Sequence, residues 1–243
     1  MNSEVGYDTD YLDWKNWDSS NFGKLTKSQK AYFYSEIKKI VGPHSEGLKV
    51  LEIGFGNGSF LEYGRQELWD ISGTELNANL VEIAKERGYK DVYHSKDLSS
   101  FQNNSFDLVV AFDVLEHIHH EQLINFLNNI KRVLKSGGYF IARFPNGDSP
   151  LGLANQNGDI THQTSIGIGK IFHLSRILNL ELISCQGEAL PLKGIGVLLF
   201  IHRLITLPIN WILNTIFKIL YFPRENITFF SRNLVVILKV LKN

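Results

Sequence analysis

Cysteine is almost absent from the chain: Cys185 is the single cysteine among 243 residues. One thiol cannot form an intramolecular disulfide, and this scarcity is typical of proteins that work in a reducing cytoplasm. The first ten residues, MNSEVGYDTD, include acidic residues and no apolar run, so we expect no secretory signal there. Internal repeats and low-complexity segments are also lacking. The sequence therefore predicts a cytoplasmic globular protein rather than a disulfide-stapled or repeat scaffold.

An excess of either charge is lacking too, because 25 basic residues balance 25 acidic ones. We therefore expect no nucleic-acid partner. The charges are nevertheless uneven along the chain. From Ala189 onward there are seven basic residues and one acid, Glu225, which is a net charge of +6. That stretch is also the most apolar part of the chain.

Short apolar runs alternate with helical patterns along the first two thirds of the chain. The runs end at Ile53, Leu76, Leu98, Phe112 and Pro145, and helical patterns cover residues 59–68, 77–87 and 121–134. Runs such as LVVAF are apolar at successive positions, as expected for parallel strands that are covered on both faces. With two later runs, LELISCQ and NLVVILKVL, the pattern predicts a doubly wound α/β fold with a mostly parallel, seven-stranded sheet.

The remaining segments divide a single predicted domain into four parts. Residues 1–40 are predicted to form an N-terminal lid or helix, 41–188 the ligand-binding core, 189–232 an apolar helical insert, and 233–243 the final strand. Within the core, a loop rich in glycine and asparagine is predicted after Pro145, and a short helix over 166–178.

The apolar insert, residues 190–222, has a narrow polar stripe at helical spacing. Pro208 is predicted to divide the insert into two helices. Arg203 and Pro208 in its middle oppose a simple membrane span. Two interpretations remain open: a peripheral segment at the inner face of a membrane, contacting lipid or a lipid-linked substrate, or a cavity wall or subunit interface.

The segment VLEIGFGNGSF brings a ligand close to the backbone through Gly54, Gly56 and Gly58. A dinucleotide fingerprint would have glycine where this chain has Ser59, and no phosphate-loop Gly-Lys-Ser/Thr is present. The carboxylate of Glu52 disfavours a pyrophosphate and favours a cation such as an ammonium or sulfonium. The loop is therefore predicted to bind a ligand that carries positive charge.

Two further carboxylates are predicted to follow neighbouring strands. Glu75 lies 21 positions after Gly54, at a strand end suited to binding ribose hydroxyls. Asp97 ends the next predicted strand, where it can accept from an exocyclic amine. Together with Glu52 they describe a site for a nucleoside with a cationic group.

Five motifs in register over residues 48–146 resemble those of the class I S-adenosylmethionine-dependent methyltransferases. They are VLEIGFGNGSF, GTEL, SKDL, FDLVVAFDVLEHI and LKSGGYFIARFPN. The resemblance implies a Rossmann-like fold and S-adenosylmethionine as the cofactor. It also implies that the cofactor is held by Glu52, Gly54, Phe55, Gly56, Gly58, Glu75, Leu76, Asp97, Leu98, Phe112 and Asp113.

The flanking segments resemble methyltransferases of bacterial surface-polysaccharide biosynthesis. The segments are YDTDYLDWKNW, GDITHQTSIG and RNLVVILK. This resemblance implies transfer of the methyl group to a hydroxyl on a sugar or glycan intermediate. Two alternatives stay open: a small-metabolite or quinone methyltransferase, and a non-catalytic, membrane-associated binding module.

A sugar hydroxyl needs a general base, and histidine, with an ordinary pKa of about 6.5, suits this role. His162 is the first candidate, with Asp159 placed to orient its ring; the alternative is an incidental residue beside a helix cap. His117 is the second candidate. His119 and His120 are expected to be solvated, and the cluster lacks the spacing of a catalytic metal motif, so no metal is predicted.

Three aromatic residues, Tyr11, Trp14 and Trp17, are concentrated in the N-terminal stretch DYLDWKNW. Aromatic side chains in such a polar stretch need a surface to cover. We expect this stretch to form a lid over the cofactor cleft; the alternative is ordinary packing on the domain.

Overall fold

One twisted sheet organises the molecule, in a computed structural model that describes residues 9–41, 45–225 and 227–241. Its strands are β1 (Lys49–Ile53), β2 (Asp70–Glu75), β3 (Val92–His94), β4 (Phe106–Phe112), β5 (Leu134–Pro145), β6 (Leu180–Gly187) and β7 (Asn233–Val240). The order across the sheet is β3-β2-β1-β4-β5-β7-β6, and β7 runs antiparallel to both of its neighbours. This topology confirms the predicted doubly wound, mostly parallel, seven-stranded sheet.

The helices cover both faces of this sheet. The helices of the described residues are α1 (Thr9–Lys15), α2 (Lys27–Ile37), α3 (Ser59–Gln66), α4 (Ala78–Glu86), α5 (His120–Val133), α6 (Pro150–Asn157), α7 (Ile168–Ile177) and α8 (Val197–Tyr221), with a 3₁₀ turn at Leu115–His117; α8 does not pack on the sheet. Local sequence explains several starts. Thr26 and Gln29 form a reciprocal capping box before α2, and the Asn77 side chain accepts two backbone N–H groups at the start of α4.

Alternate residues of the central strands belong to two separate hydrophobic cores, one on each face of the sheet, as a sheet with two covered faces requires. On one face, Leu51 and Val109 pack with apolar residues of α5 and α7. On the other face, Val50 and Val110 pack against an aromatic cluster from α2 and α3. That aromatic cluster contains Phe33, Phe60 and Tyr63, with Phe112 packed beside them.

Three expectations about the elements were wrong. Strand β3 ends at His94 rather than Leu98, because Ser95 and Asp97 make local hydrogen bonds that form a turn. The loop after Pro145 contains α6, which begins with a Ser149 cap and a proline in the first turn. The insert is one 25-residue helix, α8, that continues through Pro208. A proline removes one backbone hydrogen bond, and the apolar residues on both sides continue the helix.

The carboxyl ends of β1, β2, β4 and β5 lie along one edge of the sheet. The first residue of β7, Asn233, pairs with Pro145 at the end of β5. The segment that contains α8 therefore returns to the sheet at the same edge, where ligands bind in folds of this type.

Candidate active site

A cleft of about 900 Å³ opens at the carboxyl edge of the sheet. Its volume lies in the range typical of small-molecule sites. Twelve of the thirteen predicted site residues line it: Glu52, Gly54, Phe55, Gly56, Glu75, Leu76, Asp97, Leu98, Phe112, Asp113, His117 and His162. The sheet thus brings the predicted cofactor residues and both candidate bases to one cavity.

Gly58 is the predicted site residue that does not line the cleft. It precedes α3 with a φ of +73°, and a Cβ atom there would lie 2.5 Å from the ring of Phe22. Its role in the structure is close packing of the N-terminal segment against the loop. Gly56 is different, because it lines the cleft with a φ of +52° and leaves its backbone N–H available to a side chain of the site.

The Glu75 carboxylate closes the turn after β2. Its Oε2 accepts from the backbone N–H of Gly56 at 2.9 Å, and its Oε1 accepts from Leu76 and Asn77 at 2.7 and 3.0 Å. Burial raises the pKa of Glu75, and the three backbone donors partly oppose that rise. Two carboxylate oxygens can accept about four hydrogen bonds, so capacity remains for a ribose hydroxyl.

Glu52 is a buried carboxylate whose Oε2 has no hydrogen-bond partner in the described part of the chain. Burial, and then the nearby charge of Glu75, raise its pKa well above the ordinary 4.5. A cationic group in the cleft would stabilise the carboxylate form. The unpartnered oxygen therefore fits a ligand with an ammonium or sulfonium, and Glu52, Gly56 and Glu75 together fit a cationic nucleoside.

The adenine side of the predicted site is formed by Asp97 and Leu98. Asp97 is exposed, and its carboxylate accepts from the backbone N–H of Ser99 at 2.9 Å. Hydrogen bonds from Ser99 lower its pKa, so it is an anion at neutral pH. Leu98 is buried beside it. The pair offers one acceptor and one apolar surface, which suits an aromatic base with an amine.

Asp113, at the end of β4, holds a partner that the sequence did not predict. The Arg143 guanidinium binds its carboxylate through two nitrogens, one at 2.9 Å, and lies 5.6 Å from the centre of the Phe112 ring. Burial would lower the pKa of Arg143, but Asp113 raises it well above the ordinary value. Both residues line the cleft, so this pair fixes part of its wall.

Glu116, His117 and His162 meet on the other side of the cleft. The His117 and His162 rings are 4.7 Å apart, and the Nε2 atom of His162 lies 3.9 Å from Glu116 and 3.8 Å from Asp159. Glu116 is only 1% exposed, and neither of its carboxylate oxygens has a hydrogen-bond partner among the described residues. The loop after β5 thus returns His162 to the end of β4.

The ring of His162 is oriented by a backbone carbonyl, not by Asp159 as the sequence predicted. Its Nδ1 lies 3.1 Å from the carbonyl oxygen of Gln156, whereas the Asp159 carboxylate is too distant for a hydrogen bond. An Nδ1–H donor toward that carbonyl leaves Nε2 as the basic nitrogen. Asp159 instead accepts from Thr161 and pairs with Lys15.

Electrostatics separate the roles of these groups. Burial, followed by the proximity of His162, lowers the pKa of His117 to about 4, so His117 is neutral at pH 7. Burial, followed by Asp113, raises the pKa of Glu116 well above 4.5. Burial alone would raise the pKa of Asp159, but hydrogen bonds from Thr161 and the charge of Lys15 lower it. Asp159 is therefore the anion nearest to His162.

The residue types around His162 also suit a metal ion. Glu116, His117 and His162 each offer a ligand atom, and these atoms lie within 4.8 Å of one another. Two histidines and a glutamate are a known ligand set for zinc. No metal is predicted from the sequence, and this grouping is not visible there, because His162 is far from Glu116 along the chain.

The N-terminal segment, which is predicted to form a lid over the cofactor cleft, contributes residues to the lining of the cleft. Trp14, Lys15 and Trp17 line the cleft, and a Cβ atom at Gly56 would lie 2.8 Å from the Trp17 ring. Lys15 reaches across to Asp159 at 3.3 Å. The Tyr11 side chain lies outside the described residues.

Sequence reasoning missed Glu116 and Arg143 as parts of the site. Glu116 directly precedes His117 in LEHI, just beyond β4, and that position beside a predicted site residue is the signal that could have found it. Arg143 lies in the apolar run YFIARFP, where a lone charge near the end of a central strand marks the ligand edge.

We expect S-adenosylhomocysteine, but not NAD, to raise the melting temperature of the protein. Glu75 and the glycine loop fit a nucleoside, whereas Glu52 and Ser59 disfavour a pyrophosphate. A thermal shift series with each ligand at equal concentrations measures this difference, since a ligand stabilises only the state that binds it. Stabilisation by NAD alone would contradict the cofactor prediction.

Comparison with known proteins agrees with this site. Residues 51–142 match the sequence profile of a family described as a methyltransferase domain. The ubiquinone biosynthesis O-methyltransferase of Chelativorans sp. (strain BNC1) is 29% identical over 116 residues, which are 45% of this chain and 45% of that protein. An uncharacterized protein of Methanocaldococcus jannaschii is 29% identical over 142 residues, which are 57% of this chain and 60% of that protein. The chain thus covers less than two thirds of the length of these relatives.

The similarity of fold extends over nearly the whole chain. A SAM-dependent methyltransferase from Archaeoglobus fulgidus superposes with a TM-score of 0.66 at 19% identity, covering 96% of this chain and 100% of that one. At this identity the likeness concerns the fold. Residues 51–142 thus resemble a methyltransferase domain in sequence, and the chain has the fold of SAM-dependent methyltransferases.

Proposed function

We propose that the protein transfers a methyl group from S-adenosylmethionine to a hydroxyl group on a sugar of a surface-polysaccharide precursor. One observation carries the proposal: a single cleft joins the glycine loop and Glu75 to a basic nitrogen, Nε2 of His162. A site that only bound the cofactor would have no need of an oriented base opposite it.

The chain's own residues can prepare the acceptor for attack. When bound, S-adenosylmethionine supplies an electrophilic methyl group on a sulfonium. Nε2 of His162 takes the proton of the acceptor hydroxyl, and the Asp159 carboxylate at 3.8 Å stabilises the resulting imidazolium. Positioning the acceptor in line with the methyl group supplies roughly 7–11 kcal/mol in such reactions, and a general base adds about 10²–10⁴-fold.

The acceptor side of the cleft is suited to a molecule rich in hydroxyls. Asn155, Gln163 and Asn233 line it, and the Asn155 amide donates to the Asn233 side chain at 3.0 Å. Amide side chains both donate and accept hydrogen bonds, as sugar hydroxyls do. Together with the flanking segments that resemble polysaccharide methyltransferases, these amides favour a sugar acceptor.

A hydroxyl of a quinone or another small metabolite is the second candidate. It is favoured by the similarity to a ubiquinone biosynthesis O-methyltransferase and by the exposed apolar surface of α8. A non-catalytic binding module is the third, and it is opposed by the oriented His162 beside Glu116, a buried carboxylate with no hydrogen-bond partner among the described residues.

Transfer of labelled methyl from S-adenosylmethionine to a panel of acceptors tests the proposal. The panel contains a glycan nucleotide, a quinone and a blank. We expect label in the glycan, and equal turnover with and without a chelator, because the proposed base needs no metal. Label in the quinone alone supports the second candidate, and label in neither supports the binding module. Loss of turnover with a chelator, restored by zinc, would assign Glu116, His117 and His162 to a metal instead.

A further inference from the structure

Helix α8 turns its polar stripe toward the protein and much of its apolar surface toward solvent, which is the reverse of an ordinary surface helix. Its polar residues Arg203, Thr206, Asn210 and Asn214 recur at steps of three or four, and all four are half-buried toward the protein. Most of its apolar residues are exposed, apart from half-buried ones such as Leu207, Leu213 and Phe217, and none of the helix's 25 residues, all of them described, is buried. The outward residues include Val197, Leu198, Ile201, Leu204, Ile205, Ile209, Trp211, Ile212, Ile216, Ile219 and Leu220. A surface helix in water shows the reverse pattern.

The inward face of α8 is fixed by the segments that connect it to the sheet. Arg203 donates to the backbone carbonyl of Pro191 on the entering segment. Asn214 accepts from the backbone N–H groups of Phe229 and Phe230 on the returning segment, both at 2.8 Å. Because both connections hold polar residues of the same stripe, the apolar face is turned outward by the fold itself.

We propose that α8 lies in the plane of a membrane interface, with its apolar face in the lipid. By length and composition α8 is able to cross a bilayer. The sheet opposes a crossing, because Gly187 at the end of β6 pairs with Leu234 at the start of β7. A single crossing would separate two strands that are hydrogen-bonded neighbours. The return over 222–232 is not helical in its described residues, and irregular backbone does not cross exposed lipid.

The charges around α8 are complementary to anionic lipid. Lys193 precedes the helix, Lys218 lies in its last turn, and Arg224 follows it, with Glu225 the single acid after Ala189. Each basic residue near an anionic surface adds to the attraction. Trp211, exposed on the apolar face, is of a type enriched at membrane interfaces.

The width of the apolar face favours lipid over a second copy of the chain. A helix of a partner subunit covers a seam of about two residues in every seven. In a helix of about 3.6 residues per turn, the exposed apolar residues run from Phe200 and Trp211 on one side to Ile209 and Leu220 on the other, which is about half of the circumference. A continuous lipid phase covers such an arc, whereas a paired helix leaves much of it in water.

The position of α8 bears on how the acceptor reaches the site. The returning segment ends at Asn233, which lines the cleft, and Ile160, in the loop that carries His162, is 87% exposed. A membrane beneath α8 therefore lies on the acceptor side of the cleft. We expect the acceptor to carry a lipid, with its sugar entering from the membrane surface; this part rests on the proposed function.

Co-sedimentation of the full chain with vesicles tests the membrane surface without requiring activity. We expect binding to vesicles of phosphatidylcholine with phosphatidylglycerol, weaker binding to phosphatidylcholine alone, and weaker binding in added salt because salt screens the lysines. The double variant Ile205→Glu with Ile212→Glu should bind these vesicles with an affinity at least roughly tenfold lower, since each glutamate places a charge in the apolar face.

The matched control is Ile177→Glu on α7. Ile177 is 50% exposed and Ile212 is 48% exposed, so the same change is made at equal exposure away from α8. We expect the control to bind vesicles as the unmutated protein does, and all variants to keep the melting shift with S-adenosylhomocysteine, which shows that they are folded. An equal loss of binding in the control overturns the proposal. Failure of the unmutated protein to bind vesicles also overturns the proposal, whether the protein is a monomer or a dimer.

Fluorescence of Trp211 decides how deep the helix lies. The signal is the difference between the unmutated protein and Trp211→Phe, because three other tryptophans are present. We expect quenching by lipids brominated near the headgroup and little by lipids brominated at the chain ends. Stronger quenching from the chain ends would overturn the in-plane orientation.

Discussion

Replacing His162 by alanine is expected to lower turnover by roughly 10²-fold or more while leaving cofactor affinity unchanged. The magnitude is that of a lost general base. Affinity should persist because His162 lies across the cleft from Glu75 and the glycine loop, which hold the nucleoside. Single-turnover methyl transfer and calorimetry with S-adenosylhomocysteine measure the two quantities on the same preparations.

His173→Ala is the matched control, because His173 is exposed on α7 and does not line the cleft. The pH profile then separates the two candidate bases. A base must be deprotonated, so the rate rises with pH through its pKa and is level above it. Because the pKa of His117 is lowered to about 4, a profile already level just above that pH would assign the role to His117. If turnover falls less than threefold in His162→Ala, the role of the base is likewise assigned to His117.

Replacing Glu75 by alanine is expected to weaken cofactor binding by about 1.5–3 kcal/mol, the range for hydrogen bonds to a charged group. Two losses contribute. The ribose loses its acceptor, and the backbone N–H groups of Gly56, Leu76 and Asn77 lose theirs. Calorimetry with S-adenosylhomocysteine gives the change in affinity, and thermal unfolding of the unliganded protein gives the cost of the loosened turn.

Glu86→Ala provides the comparison for Glu75→Ala. Glu86 is an exposed glutamate at the end of α4, so its removal changes the same chemical group without touching the cleft. We expect Glu86→Ala to match the unmutated protein in its affinity for S-adenosylhomocysteine and in its melting temperature. If Glu75→Ala binds as tightly as Glu86→Ala, Glu75 serves only to end β2.

The central strands were predictable because burial on both faces leaves a direct mark on the sequence. FDLVVAF matches β4 residue for residue, and KVLEI matches β1. Short polar segments were harder. The residues around α6 are rich in glycine and asparagine, which favour turns, and the Ser149–Pro150 start that marks a helix outweighed them. Pro208 led to the opposite error. Two helices were predicted where the structure has one, because a proline weakens a helix without always ending it.

The cofactor half of the site follows from sequence because its residues stand at strand ends. Glu52, Glu75 and Asp113 each lie at or next to the end of a strand in the parallel sheet, and strand ends meet at one edge. The histidine cluster could not be predicted in the same way. His162 reaches Glu116 through a loop whose path is set by α6 and by hydrogen bonds from Gln163 and Thr164 to the Glu116 carbonyl. No local pattern encodes those contacts.

The pairing of Gly187 with Leu234 makes the segment between them a modular insertion. Adjacent strands lie about 4.8 Å apart, and two to five residues suffice to close an antiparallel hairpin. All of α8 therefore exceeds what the chain needs to pass from β6 to β7. Its length and composition are free to vary, or to be lost, without a change in the register of the sheet. The proposed membrane contact and the proposed methyl transfer would then reside in separable parts of the chain, so that one can change without the other.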